Sequence, residues 1–310
     1  MLDRLRDSWG MLRDSFSVFA RFPKLIVPFF IGQILFISFY AYAIVLVRAS
    51  LRPHATPNPL LCIGLFAVFL VVGSLLEVAA SGIVLELIQE HESGRAMGFS
   101  RGLTAMSRQL STYFALGMIW AGVRFLIDFL FGRRGKGGSD LVEEGLQKAV
   151  RMGVFCVLPA VAWEGLGVWP AIDKGKAVAR KMLVDLGVGY VGSWAAGYLL
   201  WVLFGALPLL AYKHFRPAAI STSSPTFYLW IAYVAGLLLV ISAYTFYVEQ
   251  VYCAMLYLWY LKWEFRVRDA RAQGKPLPEI EAIACPSLLD DVAEFGELAK
   301  TQRRNQSLVG

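Results

Sequence analysis

The sequence predicts an all-α, polytopic membrane protein with about six transmembrane helices and with amphipathic helices at the cytoplasmic interface. Of the 310 residues, 57% are hydrophobic and 17% are charged, whereas soluble domains average about 45–50% apolar and about 25% charged residues. Six apolar runs are long enough to cross a hydrocarbon core of about 30 Å. Short segments of alternating polarity, which would indicate a β-barrel, do not occur.

The six predicted spans follow one another with short polar connections, and charged residues before the first span argue against a secretory signal peptide. The spans cover residues 25–47, 60–88, 112–131, 152–169, 186–212 and 227–247. Counted over the flanks of these spans, Lys and Arg are roughly twice as frequent on the side of the N-terminus as on the opposite side. The positive-inside rule therefore predicts that both termini are cytoplasmic, although the basic loop over residues 133–151 works against that orientation.

An amphipathic stretch precedes each odd-numbered span on the predicted cytoplasmic side, at residues 2–19, 97–110 and 169–182. Two interpretations are open: a collar that binds lipid or partner proteins in the headgroup plane, or connectors that only anchor the start of each span. The second is favoured. The basic residues predicted to face anionic headgroups are Arg101, Arg108, Lys174, Lys176, Arg180, Lys181, Arg266 and Arg268.

The sixth apolar run continues in aromatic and charged residues as far as Arg268. A single helix from residue 227 to that point would be about 60 Å long, so we expect it to break near Glu249 and Gln250 or to project into the cytoplasm. Beyond Gly274, prolines and acidic residues indicate a flexible end or, as the less favoured alternative, a partner-binding segment. The predicted organisation is a transmembrane domain of residues 1–273 and a polar cytoplasmic tail of residues 274–310.

Ionisable residues within the spans are the first functional candidates, because a charge in the membrane is costly unless it is paired. Glu77 and Arg124 lie at equal depth in the second and third spans, which predicts an ion pair across antiparallel helices. Asp128, one helical turn beyond Arg124, is placed to share that pair. The pair either lines a proton or solute path or acts as a structural clamp, and the clamp is favoured.

Two further carboxylates lie at span ends. Glu164, after Pro159, is predicted to cap the following amphipathic helix in preference to binding a cation. Glu249 lies where the sixth run turns polar. A membrane-embedded enzyme site could be assembled from Glu249, Glu164 and the loop histidines, and this ranks third among the functional hypotheses.

Catalytic and cofactor motifs are otherwise lacking. The letters of Gly187–Gly192 match a dinucleotide fingerprint, but they lie in an apolar span with no strand before them. The spacing of Gly189, Ser193 and Gly197 instead predicts close contact with a neighbouring helix. We therefore expect no enzyme activity, no cofactor, no metal and no nucleic-acid partner.

A resemblance rests on two short regions. One contains Ser8-Trp9, Ser15-Phe16 and Phe22-Pro23, and the other contains Val157-Leu158-Pro159, Glu164-Gly165, Ala171, Lys174 and Ala177. Over most of residues 1–263 the chain resembles a family of six-helix prokaryotic integral membrane proteins, and it is distantly similar to the membrane domain fused to some glycerophosphodiester phosphodiesterases. The resemblance implies an all-helical fold in a prokaryotic cytoplasmic membrane and brings no catalytic residues, because the phosphodiesterase chemistry belongs to a separate soluble domain.

The leading hypothesis from these features is a non-enzymatic accessory or scaffold subunit that binds anionic membrane lipids and either a membrane-protein partner or further copies of itself. The alternative is a permease for a small or lipidic solute that uses the Glu77 and Arg124 pair. A water-filled cavity beside that pair, at mid-membrane depth, would distinguish the permease from a scaffold with a dry, tightly packed interior.

Overall fold

A computed structural model describes residues 2–50, 59–92, 98–131, 139–210 and 225–286, and within these residues the chain is a helical bundle. The α-helices are α1 (Leu2–Arg21), α2 (Val27–Ser50), α3 (Pro59–Glu92), α4 (Phe99–Ser107), α5 (Leu110–Phe131), α6 (Ser139–Glu164), α7 (Val168–Lys181), α8 (Leu183–Trp201) and α9 (Pro225–Ala272). Short 3-10 turns cover Pro23–Ile26 and Ile280–Ala282, and a π-helical turn over Val202–Ala206 follows α8.

Six of these helices, α2, α3, α5, α6, α8 and α9, are long and apolar enough to cross a membrane. Large apolar side chains on α2, α5, α8 and the first part of α9 are exposed, as expected where helices face lipid. The predicted fold class, an all-α polytopic membrane protein, is therefore confirmed. Which side of the membrane holds the termini stays a prediction.

Helices α1, α4 and α7 gather at one end of the bundle, where they surround the buried ends of α3, α6 and α9. We call α1, α4 and α7 together the collar. Trp163 of α6 donates a hydrogen bond to the carbonyl of Leu85 in α3 at 3.2 Å, and both residues are buried in this region. The main hydrophobic core lies here, because apolar side chains from five or more helices meet at this end.

The apolar stripe of α1 packs in part against the bundle. Leu12 is buried and Phe16 and Phe19 are partly buried, whereas Trp9, which belongs to the same stripe, is exposed. The neighbouring Ser15 is also buried and contacts the sulfur of Met255 in α9. This arrangement favours the interpretation of the amphipathic stretches as anchors for the spans over a helix lying flat among headgroups.

The fourth span differs from its predicted bounds of 152–169. Helix α6 ends at Glu164 because Gly165 takes a left-handed backbone conformation with φ of 68°, which glycine adopts without steric cost. At the other end α6 begins at Ser139, so residues 139–151, expected in a loop, are helical.

Helix α9 runs unbroken through Glu249 and Gln250, so the expected break is not present. Its 48 residues span about 72 Å, more than twice the thickness of the hydrocarbon core. Side chains before Val240 are largely exposed and apolar, whereas those from Tyr247 to Leu261 are buried inside the collar. The helix can continue because protein groups, described below, compensate the charge of Glu249.

The segment after α9, expected to be a flexible end, is docked on the bundle as far as Pro286. Ile280 is fully buried, and the indoles of Trp259 and Trp263 donate hydrogen bonds to the carbonyls of Ile283 and Pro278 at 3.0 and 2.9 Å. The rest of the predicted tail, residues 287–310, lies outside the described residues.

Docking of this segment predicts an unreactive Cys285 thiol. Burial raises its pKa to about 12, and the charges of Asp7, Asp14 and Asp185 act in the same direction. Because the thiolate is the reactive form, we expect alkylation of Cys285 at pH 8 to be at least about a hundredfold slower in the folded protein than in the denatured chain. Mass spectrometry of the peptide that contains Cys285, over a time course, measures both rates.

A matched pair of variants checks the cause. Trp259→Phe removes the hydrogen bond next to Cys285 and should accelerate alkylation, whereas Trp263→Phe removes a bond further along the segment and should have less effect. Equal rates for the folded and denatured protein would contradict docking.

Candidate functional site

The predicted ion pair between Glu77 and Arg124 is present near the middle of α3 and α5. Nη1 of Arg124 lies 3.3 Å from Oε1 of Glu77, and Nε1 of Trp120 donates a hydrogen bond to Oε2 of the same carboxylate at 2.9 Å. The guanidinium also lies over the ring of Trp120, 5.7 Å from its centroid. Both carboxylate oxygens of Glu77 are therefore bound by α5.

Close approach of α3 and α5 makes this pair possible. A Cβ atom added at Gly117 of α5 would lie 2.6 Å from Cδ2 and 3.3 Å from Cα of Leu75 in α3. Since real side chains essentially never approach so closely, glycine at this position sets the spacing at which Trp120 and Arg124 reach Glu77.

Asp128, expected to share Arg124, accepts a hydrogen bond from the side-chain amide of Gln147 in α6. Its side chain therefore ties α5 to α6. The residue does not line the cavity described next.

A cavity of about 180 Å³ lies beside the ion pair, between α2, α3, α5 and α9. Glu77 and Arg124 lie in its wall together with Gln33 and Ser242, and the remaining lining is largely apolar. The apolar lining residues are Phe29, Gly32, Phe36, Gly73, Leu76, Ala80 and Phe246. The cavity lies beside the Glu77 and Arg124 pair, where the permease hypothesis expects one.

Below the cavity, towards the collar, a second group of charges surrounds Glu249. Its carboxylate is almost fully buried, with Lys148 Nζ at 3.1 Å, Arg151 Nη2 at 2.8 Å and the hydroxyl of Ser193 at 3.1 Å. We call Lys148, Arg151, Ser193 and Glu249 the Glu249 cluster. It joins α6, α8 and α9 through one carboxylate.

The cavity and the Glu249 cluster share Phe246. This ring lines the cavity, and the guanidinium of Arg151 lies 4.3 Å from its centroid. A cation–π contact of this kind is stronger where water is excluded. Phe246, which we call the floor of the cavity, thus has the partly buried Arg151 beside it.

Sequence reasoning missed this cluster because it placed Lys148 and Arg151 in an outside loop. The spacing of the two cations by three residues, just before an apolar run, is the signal that one helical face carries both. Ser193 belonged to the small-residue pattern on α8, and that pattern does mark a close contact. A Cβ atom at Gly189 would lie 2.3 Å from the ring of Tyr252 in α9.

Glu164 does not cap α7. The N-cap residue is Gly167, which makes no side-chain capping bond. The buried carboxylate of Glu164 instead accepts a hydrogen bond from the hydroxyl of Tyr257 and lies 3.8 Å from Lys174 Nζ. Lys174 also pairs with Glu264, so this group ties α6 and α7 to α9.

Of the predicted headgroup residues, Lys174 is partly buried and is paired with Glu264. The others are exposed: Arg101, Arg108, Lys176, Arg180, Lys181, Arg266 and Arg268. Among these, Lys181 lies 4.7 Å from the ring centroid of Trp263. Contact of the exposed set with lipid stays a prediction.

A further charged group at the collar was not predicted from sequence. Asp185 at the start of α8 is fully buried and accepts hydrogen bonds from Nη2 of Arg4 at 2.7 Å and from the hydroxyl of Ser8 at 2.5 Å. Nη1 of Arg4 lies 2.9 Å from Oε1 of Glu281. The hydrogen bonds to Asp185 raise the pKa of Arg4, and a hydrogen bond from its own backbone lowers that of Glu281.

The structure of the Glu77 and Arg124 pair yields a non-additivity prediction. Glu77→Leu or Arg124→Leu alone should lower the free energy of unfolding by about 2–4 kcal/mol, because each leaves one charge unpaired among apolar helices. The double variant should be more stable than either single variant. Unfolding in mixed micelles, followed by tryptophan fluorescence, measures the three values; a double variant less stable than both singles would contradict a shared pair.

Within the described residues, no group of three His, Cys, Asp or Glu side chains is arranged to hold a metal ion. What the site offers is a cation held by one carboxylate at the wall of a small cavity. Comparison with known proteins adds no identity to this geometry: the chain matches no protein-family model, no curated protein and no solved structure.

Proposed function

We propose that this membrane protein is a permease that binds a small or lipidic solute in the cavity beside Glu77 and Arg124. The observation that carries the proposal is the 180 Å³ cavity with an ion pair in its wall. Cavities between the helices of a bundle are common ligand sites, and intramembrane charges that line them mark substrate pathways.

Unpaired polar groups on α3 and α9 support a binding function. The side chains of Ser81, Tyr247 and Gln250 are buried and have no hydrogen-bond partner among the described residues. Leaving such a group unpaired costs about 1–3 kcal/mol, which a bound solute or water would offset. Ser81 and Tyr247 each follow a residue of the cavity wall, Ala80 and Phe246.

Reconstitution into liposomes tests the proposal. Purified protein is placed in vesicles, and osmotic shrinkage and reswelling are followed with glycerol, glycine, sodium butyrate and sodium phosphate as external solutes. We expect at least one solute to enter faster than into protein-free vesicles, and Arg124→Gln to slow that entry. Arg13→Gln, an exposed arginine of α1 outside the cavity wall, is the matched control. Entry no faster than into protein-free vesicles for all four solutes would contradict the proposal.

A second candidate is the accessory or scaffold subunit expected from the sequence. The observation that favours it is the set of exposed cations at the collar end, with Arg101 and Arg108 on α4 and Arg266 and Arg268 on α9. Cations of this kind attract anionic lipid or an acidic partner. Purification in mild detergent should then recover a partner protein or an oligomer, and replacing these four arginines with glutamine should release it.

A further inference from the structure

We infer that the cavity takes the anionic group of its ligand, a carboxylate or a phosphate, and that Arg124 is the residue that binds it. The inference names the ligand class and rests on the proposed function. It is carried by the hydrogen-bonding state of Arg124, by the polar groups beside it in the cavity wall and by the position of Arg151 against Phe246.

Most N–H groups of Arg124 have no acceptor among the described residues. A guanidinium carries five N–H groups in a planar fork, and within the described residues only Nη1 of Arg124 makes a hydrogen bond, the one to Glu77. The side chain is 23% exposed and lies in the cavity wall. The fork geometry suits a carboxylate or phosphate, which accepts two parallel hydrogen bonds.

Both carboxylate oxygens of Glu77, in contrast, already accept hydrogen bonds. Trp120 and Arg124 bind its two oxygens, and only 12% of its side chain is exposed. It acts as a positioning residue that holds the guanidinium against the cavity, and it is poorly placed to receive a cationic ligand. A ligand that enters therefore meets hydrogen-bond donors first.

Gln33 supplies a second polar group, because its side chain lies in the cavity wall with Arg124. An amide can donate to an anion as well as accept from it. The remaining wall is apolar and aromatic, which fits a short hydrocarbon part of the ligand.

A second arginine lies close to the cavity. The guanidinium of Arg151 lies 4.3 Å from the centroid of Phe246, which lines the cavity. In a medium of low dielectric constant a nearby cation favours an anionic ligand over a cationic one.

The volume limits the size of the group. About 180 Å³ corresponds to roughly six water molecules at ~30 Å³ each. A free small anion fits this space, and so does the anionic end of a lipid with its chains outside. Both sources present the same oxyanion to Arg124.

Binding of matched probes tests the inference separately from transport. The purified protein, in nanodiscs of zwitterionic lipid only, is titrated calorimetrically with butyrate and with butyramide, which differ in charge at nearly equal size. We expect butyrate to bind at least tenfold more tightly than butyramide. Equal affinity for the two probes, or no binding of butyrate and of inorganic phosphate, would overturn the inference.

Variants assign the binding to Arg124. Arg124→Gln should weaken butyrate binding at least tenfold, and Arg13→Gln, at an exposed position of α1, should leave it unchanged. Because Arg124→Gln can unfold the protein, Glu77→Gln is the second variant. It frees the guanidinium while retaining an oxygen for Trp120, and it should strengthen binding severalfold. Unchanged butyrate affinity in a folded Glu77→Gln protein would contradict the assignment.

Anionic lipid separates the two sources. If phosphatidylglycerol in the nanodiscs competes with butyrate, the natural group is lipid-borne; if it does not, the group belongs to a free solute. Both outcomes retain Arg124 as the oxyanion site. Butyrate binding without entry into vesicles would reject the permease and keep this inference. Faster entry of glycerol, with no faster entry of the anions, would support the permease and reject this inference.

Discussion

Replacing Glu249 with leucine is expected to lower the free energy of unfolding by about 3–5 kcal/mol, the range for removing one partner of a buried ion pair. The carboxylate is 1% exposed, and without it Lys148 and Arg151 face each other inside the bundle. Their desolvation is no longer compensated by an opposite charge. Equilibrium unfolding with increasing SDS in mixed micelles, followed by tryptophan fluorescence, measures the loss.

Variants of the cations sharpen this prediction. Lys148→Met should lower the free energy of unfolding less than Glu249→Leu does, because Arg151 still pairs with the carboxylate of Glu249. The triple variant Lys148→Met, Arg151→Met, Glu249→Leu should be more stable than Glu249→Leu alone, since it removes every charge together. Asp269→Asn, at an exposed position of the same helix, is the control and should change stability by less than about 0.5 kcal/mol. A Glu249→Leu protein as stable as this control would refute the account of the Glu249 cluster.

Replacing Arg4 with alanine should be the second large effect, a loss of about 3 kcal/mol. It leaves the fully buried carboxylate of Asp185 with the hydroxyl of Ser8 as its remaining side-chain donor. The reverse substitution, Asp185→Asn, should cost less, because Arg4 is 17% exposed and keeps Glu281 as a partner. The same unfolding experiment measures both changes.

The difference between the stability losses of Arg4→Ala and Asp185→Asn tests which member of the pair is buried. If Asp185→Asn destabilised the protein more than Arg4→Ala, the carboxylate would not be the buried member of the pair. Arg6→Ala, an exposed arginine on the same helix, should have little effect. In the double variant Arg4→Ala, Asp185→Asn, stability should recover in part, because no unpaired charge remains buried.

Much of the fold could be predicted from sequence because bilayer thickness and helical periodicity leave strong marks. Six apolar runs gave the spans, and the stripes before them gave α1, α4 and α7. The ends of α6 were harder: the left-handed turn at Gly165 and the helical start at Ser139 depend on packing against neighbours. No pattern along the chain records which neighbours a helix will have.

The candidate site was predictable where two charges lay at equal depth, as with Glu77 and Arg124. It was not predictable where one partner lies in a segment that looks like a loop or a span end and the other lies in a different helix. Lys148 and Arg151 looked like loop residues, and Asp185 looked like the polar start of a span, because their partners lie 98 or more residues away along the chain in Glu249 or Arg4. Depth and facing direction of a helix are tertiary properties, so only the folded chain shows that these residues meet.

The unbroken course of α9 has a mechanical consequence. A rod of about 72 Å that tilts by about 10° moves one end by about 12 Å relative to the other. Any tilt of its apolar first half would therefore swing the end that holds Trp259, Trp263 and the docked segment. Tilting of the apolar half in the bilayer would thus displace the half inside the collar, and the Glu249 cluster lies near the middle of the helix, where the displacement is smallest.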